Sequence, residues 1–285
     1  MGARRLPGMA ALLTAGAVVL TGCGTRTVDR APSSPLAGSA VPAGTPSDLS
    51  GASRSGPIAA PSTSSAEDPV VAPRRTLKLG AKGKAVTWMQ RRLTELGYLP
   101  GRADGRYGGT TLAAVWAFQK VNGLKPTSTI ARRTWEALET PKAPRVLVRN
   151  GRPTRAEVDL TKQIMVLYVR GEAKLITHVS SGSGIPYCET TTWQGKQQRF
   201  CGSAGTPTGN YRTTWRASGW HKSYLGELYN PIFFNGGIAF HGALSVPLYP
   251  ASHGCVRMPM NVAQVLPGML GKGVPVHVRG KFRRA

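Results

Sequence analysis

The composition of the chain changes near Pro73, and this boundary limits which part of it can fold. Residues 24–73 consist mainly of Ser, Pro, Ala, Gly and Thr, with few large apolar side chains. Such a segment cannot bury enough apolar surface to offset the conformational entropy that folding costs. We therefore expect a disordered linker over residues 23–73, and a folded core built only from residues 74–285.

The first 22 residues are organised like a secretion signal. Arg4 and Arg5 precede an apolar run, residues 9–20, that is too short for a stable membrane span. The run ends in Leu20-Thr21-Gly22-Cys23, which resembles the lipobox of bacterial lipoproteins. That resemblance implies cleavage before Cys23 and a membrane anchor of two lipid chains on its sulfur. An ordinary signal peptide with an incidental cysteine is the alternative.

The formal net charge is +24, and nearly all of it lies in residues 74–285. The first 73 residues contain five arginines and four acidic side chains, which almost cancel. A strongly basic surface usually meets a polyanionic partner. Because export argues against nucleic acid, we expect wall polymer or anionic lipid as the partner, in an exported and lipid-anchored monomer. A diffuse solvated surface without a specific partner is the alternative.

Residues 74–140 are expected to form a unit of three helices. Apolar side chains recur there at spacings of three and four residues, which is typical of helices with one buried face. They are Val86, Met89, Leu93 and Leu96, then Leu112, Val115, Trp116 and Phe118, and finally Trp135 and Leu138. Gly97 and Gly123 mark the ends of the first two helices.

The same unit contains motifs that resemble a three-helix peptidoglycan-binding module. They include Leu77-Lys78-Leu79-Gly80, Leu96-Gly97-Tyr98, Asp104-Gly105-Arg106-Tyr107-Gly108, Phe118-Gln119 and Thr134-Trp135. The resemblance implies binding to the wall polymer. The residues that contact the polymer do not follow from the pattern, because its turn and apolar positions also have structural explanations.

A proline-rich joint, residues 141–153, leads into a second folded unit, residues 154–285. Residues 163–169 and 175–179 flank the turn Arg170-Gly171-Glu172 and predict a β-hairpin. Residues 231–235 and 238–241 flank Gly236-Gly237 in the same way. Such turn signals, with few helical periods, favour a mostly β domain, so the expected fold class is α+β in several domains.

Cys255 is the strongest candidate for a reactive side chain. A free thiol is only about a few per cent ionised at neutral pH, so a nucleophilic cysteine needs a base. His241 suits this role, and strand alternation places it on the same face as the small Ala239. Gly254 has no Cβ, which lets backbone approach a substrate, so the Gly254 and Cys255 amides are candidate oxyanion donors.

Other interpretations of these side chains remain open at this point. His241, His253 and Cys255 could ligate zinc, but no Cys-x-x-Cys pair or acidic neighbour accompanies them. A papain-like protease is disfavoured, because here the histidine precedes the cysteine. Cys255 could also be a buried structural residue. Ser252 could either end a turn or act in the site.

Three motifs in order resemble the signature of the L,D-transpeptidase (YkuD-type) catalytic domain. They are Thr206-Pro207-Thr208-Gly209, the stretch from Asn235 to Gly242, and Ser252-His253-Gly254-Cys255-Val256-Arg257-Met258. The resemblance implies a β-sandwich-like fold, Cys255 as nucleophile, His241 as proton acceptor and donor, and acylation of Cys255 by carbapenems. We expect His253 to orient the site. Arg257 stands where some family members have Asn.

The reaction that the resemblance implies needs no cofactor and no metal. Cys255 would attack a tetrapeptide stem of peptidoglycan, release D-Ala, and pass the acyl group to a second stem in a 3-3 cross-link. Hydrolysis by the same residues would make an L,D-carboxypeptidase instead. A non-catalytic wall tether is the alternative from another class, although it has no use for a base and a thiol.

Cysteine usage gives one further expectation. With Cys23 lipidated and Cys255 free, Cys188 and Cys201 remain as a pair in an exported protein, and we expect a disulfide. It would stiffen a long polar segment, residues 190–200. Between this segment and His241 lies a dense group of aromatic residues, some of which are expected to line a groove. The candidates for substrate binding are Tyr224, Tyr229, Asn235, Ser252 and Arg257.

Overall fold

The computed structural model of the protein describes residues 70–282. The predicted signal segment, the lipidation site Cys23 and nearly all of the linker lie outside the described residues. Within the described part of the chain, no helix is long and apolar enough to cross a bilayer.

Three helices form the first part of the fold, as the apolar spacing predicts. They are α1 (Lys84–Glu95), α2 (Gly109–Val121) and α3 (Arg132–Glu139). Helix α2 is buried over ten of its 13 residues, including Lys120, whereas α1 and α3 each bury one face. A helix that is covered on nearly all sides lies at the centre of its unit.

Eleven strands and a fourth helix make up the rest of the described residues. The strands are β1 (Arg155–Asp159), β2 (Ile164–Val169), β3 (Glu172–His178), β4 (Pro186–Trp193), β5 (Lys196–Ser203), β6 (Gly209–Arg212), β7 (Trp220–Ser223), β8 (Gly226–Asn235), β9 (Ile238–Gly242), β10 (Val256–Met258) and β11 (Pro275–Arg279), and the helix is α4 (Met260–Met269). The five-stranded sheet has the order β3-β2-β1-β11-β6, and the four-stranded sheet has the order β10-β9-β8-β7. Strands β4 and β5 form a sheet of their own.

The two larger sheets enclose one core, as in the β-sandwich-like fold that the family resemblance implies. Met165 and Leu167 of β2 pack in the same cluster as Phe234 and Phe240 of the four-stranded sheet. The apolar face of α4 completes this cluster through Val262, Ala263 and Leu266. The hairpins β2–β3 and β8–β9 both form where the turn residues predict them.

The helical part and the sandwich share a second core. Ile164, Val166 and Tyr168 alternate with the inward residues of β2, so they point to the opposite face of the sheet. On that face they pack with the helices in one apolar cluster. The Ile176 N–H also donates to the Gly97 carbonyl at 2.9 Å. The helices and the sheet therefore pack together as one body. The sequence, from which we expected two units connected by a joint, does not predict this packing.

Two elements differ from the sequence-based expectation. Helix α4 lies in the domain that was predicted to be mostly β, and it contains Pro267. Residues 190–200, expected to be a polar loop, belong instead to the antiparallel hairpin β4–β5. Cys188 and Cys201 lie directly opposite each other in this hairpin and are joined by a disulfide.

Candidate active site

A cleft of about 740 Å³ opens beside the four-stranded sheet, and Cys255 and His241 both line it. Strands β9 and β10 run parallel, with Phe240 opposite Val256 and His241 opposite Arg257. Cys255 immediately precedes β10, so strand alternation places its side chain on the same face as that of His241. The parallel pairing of two short strands thus brings a thiol and an imidazole to one wall of the cleft.

The expectation that a small residue leaves room beside the histidine agrees with the structure. Ala239 is fully buried and packs in a small apolar cluster that half-buried Cys255 contacts. The Cys255 thiol lies 3.6 Å from the Gly237 carbonyl oxygen, and Cys255 is the one free cysteine among residues 70–282. A side chain larger than alanine at position 239 would occupy the space next to the sulfur.

The protonation of the His241 ring follows from its hydrogen bond. Its Nδ1 lies 2.9 Å from the Gly242 carbonyl oxygen. A carbonyl can only accept, so Nδ1 carries the proton and Nε2 keeps its lone pair. The neutral ring is therefore in the tautomer that a proton acceptor needs, with its ring orientation fixed by its own strand.

Burial keeps both groups neutral in the free protein. It lowers the pKa of His241 to about 4, and the positive charge of Arg257 acts in the same direction. Burial also raises the pKa of the Cys255 thiol, while a backbone hydrogen bond with Ala239 and the charge of Arg257 oppose that rise. Both pKa shifts thus favour thiol and imidazole over thiolate and imidazolium.

The backbone conformation at position 254 requires glycine, and the Gly254 amide has a partner within its own turn. Its φ of +135° is strained for any other residue, and a Cβ there would lie 3.1 Å from the Gly205 carbonyl oxygen. The Gly254 N–H donates to Ser252 Oγ at 3.0 Å. This N–H is thus already used inside the turn, and the Gly254 oxyanion donor stays a prediction. The Cys255 amide remains a candidate.

Ser252 is part of the framework that shapes this turn. Its buried hydroxyl accepts from Gly254 N–H and donates to the Cys255 carbonyl. Thr206 Oγ1 donates to the Gly254 carbonyl at 2.6 Å and accepts from the Gly182 N–H at 2.8 Å. The hydroxyl of Ser252 is thus committed within the protein, which favours the turn interpretation over substrate binding.

His253 faces the cleft but reaches towards the β4–β5 hairpin. Its Nε2 lies 2.7 Å from Glu189 Oε1, and its ring meets the edge of Tyr187 with centroids 4.7 Å apart. Sequence reasoning missed both partners, since Glu189 follows a disulfide cysteine and carries no motif. His253 contacts the hairpin, and its expected orienting role stays a prediction.

The predicted substrate-binding residues divide into two groups. Tyr224, Ser252 and Arg257 line the cleft, and the ring of Tyr224 stacks on Phe200 with centroids 4.3 Å apart. Tyr229 and Asn235 lie outside the cleft lining, and their role in substrate binding stays a prediction. Tyr229 packs against Trp220 and pairs with Gly242, while Asn235 pairs with Ile238 at the hairpin turn.

Aromatic side chains form the far wall of the cleft. Trp215 and Trp220 are each 49% exposed, which is unusual for tryptophan unless the surface meets a ligand or partner. Trp215 stacks on Phe233 with centroids 3.9 Å apart. Both tryptophans belong to the aromatic group expected between the hairpin and His241. Their exposure, which decides their role, cannot be read from sequence.

The side chains in the described part of the chain do not form a metal-ligand set. Among residues 70–282, no three His, Cys, Asp or Glu side chains come together as a ligand set. His253 turns to Glu189, and His241 Nδ1 is bonded to its own strand. A base and a thiol on one wall of a partly apolar cleft instead suit acyl transfer.

Comparison with known proteins identifies the two parts of the chain. A family model for a peptidoglycan-binding domain matches residues 82–138, and the model for the L,D-transpeptidase (YkuD) catalytic domain matches residues 153–278. No curated protein matches the sequence.

The chain is similar to several solved structures. An L,D-transpeptidase from Xylanimonas cellulosilytica is 35% identical, with a TM-score of 0.63, over 75% of this chain and 100% of that one. One from Stackebrandtia nassauensis is 23% identical, with a TM-score of 0.40, over 72% and 96% of the two chains. A mutant of the Enterococcus faecium enzyme is 22% identical, with a TM-score of 0.35, over 52% and 62%.

The fold and the two matched domains define an acyltransferase-type enzyme that acts on peptidoglycan at the cell wall. The chain belongs to the L,D-transpeptidase family.

Proposed function

We propose that this protein forms 3-3 cross-links in peptidoglycan through a thioester on Cys255. The observation that carries the proposal is the β9–β10 register, which puts Cys255 and His241 on one face of the cleft. The tautomer of His241 leaves Nε2 free to take the thiol proton. Tyr224 and Arg257 line the cleft and are proposed to contact the substrate.

The first half-reaction acylates the cysteine. His241 Nε2 accepts the proton of the Cys255 thiol as the sulfur attacks the carbonyl carbon between the third stem residue and the terminal D-Ala. The C–S bond forms, the C–N bond breaks, and the imidazolium returns its proton to the departing amine of D-Ala. The Cys255 amide is the proposed donor to the oxyanion, and such a donor contributes about 3 kcal/mol to transition-state stabilisation.

The second half-reaction transfers the acyl group. A side-chain amine of a second stem attacks the thioester carbon, its proton passes to His241 Nε2, and the thiol leaves with a proton from the imidazolium. The new amide joins two third-position residues. Because burial favours the neutral thiol and imidazole in the free protein, we expect the thiol proton to move to His241 within the substrate complex in the first half-reaction.

Product analysis tests this function. Purified tetrapeptide stems incubated with the enzyme are expected to give cross-linked dimers and free D-Ala in equal amounts. The Cys255→Ala variant should give neither product. Tripeptide without dimer would contradict the transferase assignment and would make the enzyme an L,D-carboxypeptidase.

We also propose that the protein is exported and held at the outer face of the membrane through Cys23. The support is the sequence alone: the lipobox-like Leu20-Thr21-Gly22-Cys23 and the linker behind it. The expected mature chain begins at a diacylglyceryl-modified Cys23 and partitions with membranes. A Cys23→Ser variant should lose this partitioning, and an unmodified mature N-terminus in the wild type would contradict the anchor.

A further inference from the structure

A buried lysine connects the peptidoglycan-binding domain to the sandwich. Lys120 lies in the last turn of α2 and is only 9% exposed. Its Nζ donates to the Gln163 carbonyl at 3.1 Å and lies 2.8 Å from His178 Nδ1. Lysine is rarely buried without a carboxylate partner, yet none of the ion pairs within residues 70–282 involves Lys120. The hydrogen bonds to the sandwich are what compensate its burial.

His178, the last residue of β3, connects Lys120 to a loop that lines the cleft. Its ring is fully buried, and Nε2 lies 2.9 Å from the Val246 carbonyl oxygen. A carbonyl only accepts, so Nε2 carries the proton. Nδ1 lies 3.3 Å from the Gln163 carbonyl oxygen but closer to Lys120 Nζ, from which the neutral ring accepts. Trp116, one helical turn before Lys120, contacts the same ring edge-on with centroids 5.4 Å apart. One face of α2 therefore fixes both the plane and the hydrogen bonding of His178.

Val246 belongs to the segment that follows the His241 strand. In this loop, residues 243–251, Ala243, Leu244 and Ser245 line the cleft. Leu244 is 86% exposed, so its side chain does not hold the loop by packing. Backbone groups also hold the loop. The Val246 carbonyl accepts from His178 and the Tyr249 carbonyl accepts from Ser180 Oγ. At the two ends, the N–H groups of Ala243 and Ala251 donate to the carbonyls of Met258 and Ser181.

We propose that Lys120 is a positioning residue for the active-site cleft, which acts through His178 on the loop 243–251. The peptidoglycan-binding domain then has a second role besides attachment: it holds one side of the substrate cleft in place. Burial lowers the pKa of His178 to about 4, which keeps the ring neutral and able to accept from Lys120 at neutral pH. The inference rests on the proposed function only in taking the cleft as the substrate site.

Matched variants distinguish a positioning role of Lys120 from a general contribution to the stability of the protein. Lys120→Met keeps the length of the side chain and removes its donor, while Lys125→Met removes an exposed charge nearby as a control. His178→Gln can keep both hydrogen bonds, because its amide donates to Val246 and its carbonyl accepts from Lys120. His178→Leu keeps the bulk and loses both bonds.

Peptide-level hydrogen exchange on the folded full-length protein measures the loop directly. We expect Lys120→Met and His178→Leu to speed exchange in residues 243–251 by about fivefold or more, with Lys125→Met and His178→Gln near wild type. The double variant Lys120→Met/His178→Leu should be no worse than either single one, because both break one chain of contacts. Unchanged exchange in Lys120→Met would overturn the proposal, whether or not the enzyme acts on stems.

Kinetics provides the functional readout. For tetrapeptide stems, KM is expected to rise by about five- to tenfold in Lys120→Met, since the loop binds substrate and does not take part in chemistry. Alkylation of Cys255 by iodoacetamide should keep its wild-type rate. A loss of kcat with unchanged KM would overturn the positioning role. If the wild type does not act on stems at all, the proposed function fails while the exchange result still decides the inference.

Discussion

The Thr206 hydroxyl donates to the Gly254 carbonyl at 2.6 Å, one residue before the cysteine that lines the cleft. The same oxygen accepts from the Gly182 N–H. A single buried side chain therefore connects the turn before β6 and the segment after β3 to the turn that presents Cys255. This contact explains why a Thr-Pro-Thr-Gly motif accompanies the cysteine motif.

Replacing Thr206 with valine is expected to destabilise this turn. Valine keeps the shape but leaves a carbonyl and an N–H without partners, so the free energy of unfolding should fall by about 1–3 kcal/mol. Urea unfolding measures the change. Thr208→Val is the matched control, because Thr208 is exposed, and it should stay within about 0.5 kcal/mol of wild type. Equal effects of the two variants would contradict the role of Thr206.

The rate at which Cys255 is alkylated should increase mainly at alkaline pH. Burial raises the pKa of its thiol, so the thiolate accumulates only above the range of an ordinary cysteine. Alkylation by iodoacetamide in the free enzyme is therefore expected to keep accelerating through about pH 9. A plateau near neutral pH would mean that the resting enzyme already holds a thiolate–imidazolium pair.

Acid should destabilise the protein through its buried histidines. The pKa of His178 is lowered to about 4, mainly by burial and then by the charge of Lys120. Between pH 4 and the ordinary pKa near 6.5, His178 binds more protons in the unfolded chain than in the folded protein. The stability that neutral His178 contributes is therefore fully present above pH 6.5 and is lost as the pH falls towards 4. His178 alone accounts for roughly 3 kcal/mol across this window.

The His178→Gln variant isolates that contribution, since glutamine can keep the hydrogen bonds and does not titrate. Its free energy of unfolding should decrease less steeply than that of the wild type between pH 6.5 and 4. Parallel pH curves for the two proteins would show that His178 is protonated normally in the folded state, contrary to its buried position.

The β4–β5 hairpin is expected to depend on its disulfide. A two-stranded sheet alone is marginally stable, and this one is held to the cleft by the half-exposed Glu189–His253 pair and by the Phe200–Tyr224 stack. In a Cys188→Ser/Cys201→Ser variant, hydrogen exchange in residues 186–203 should accelerate about tenfold, while the sandwich core stays protected. Unchanged exchange in this hairpin would show that its side-chain contacts suffice.

Sequence patterns predict the parts of the fold that have a strong period or turn signal. The spacing of Met89 and Leu93 predicts α1, and Gly236-Gly237 predicts the β8–β9 turn, because both signals are local. The packing of the helices on β2 could not be predicted in this way. Ile164 and Met165 are both apolar, and nothing local tells which partner lies against each face.

The candidate site also has some features that the sequence predicts and others that it does not. Cys255 and His241 are identifiable because nucleophile and base chemistry restricts the residue types. The use of the Gly254 amide is not, since it depends on where the Ser252 hydroxyl points. Glu189 and Lys120 were missed because their roles arise from contacts with residues 64 and 58 positions away.

Intact-protein mass spectrometry tests the central assignment most directly. The wild type and the Cys255→Ala variant are each incubated with a tetrapeptide stem and, separately, with a carbapenem, which the family resemblance implies as an acylating agent. The wild type should gain the mass of the stem minus D-Ala in the first case and of the carbapenem in the second, whereas Cys255→Ala should gain neither. Adducts of equal mass on both proteins would contradict Cys255 as the nucleophile.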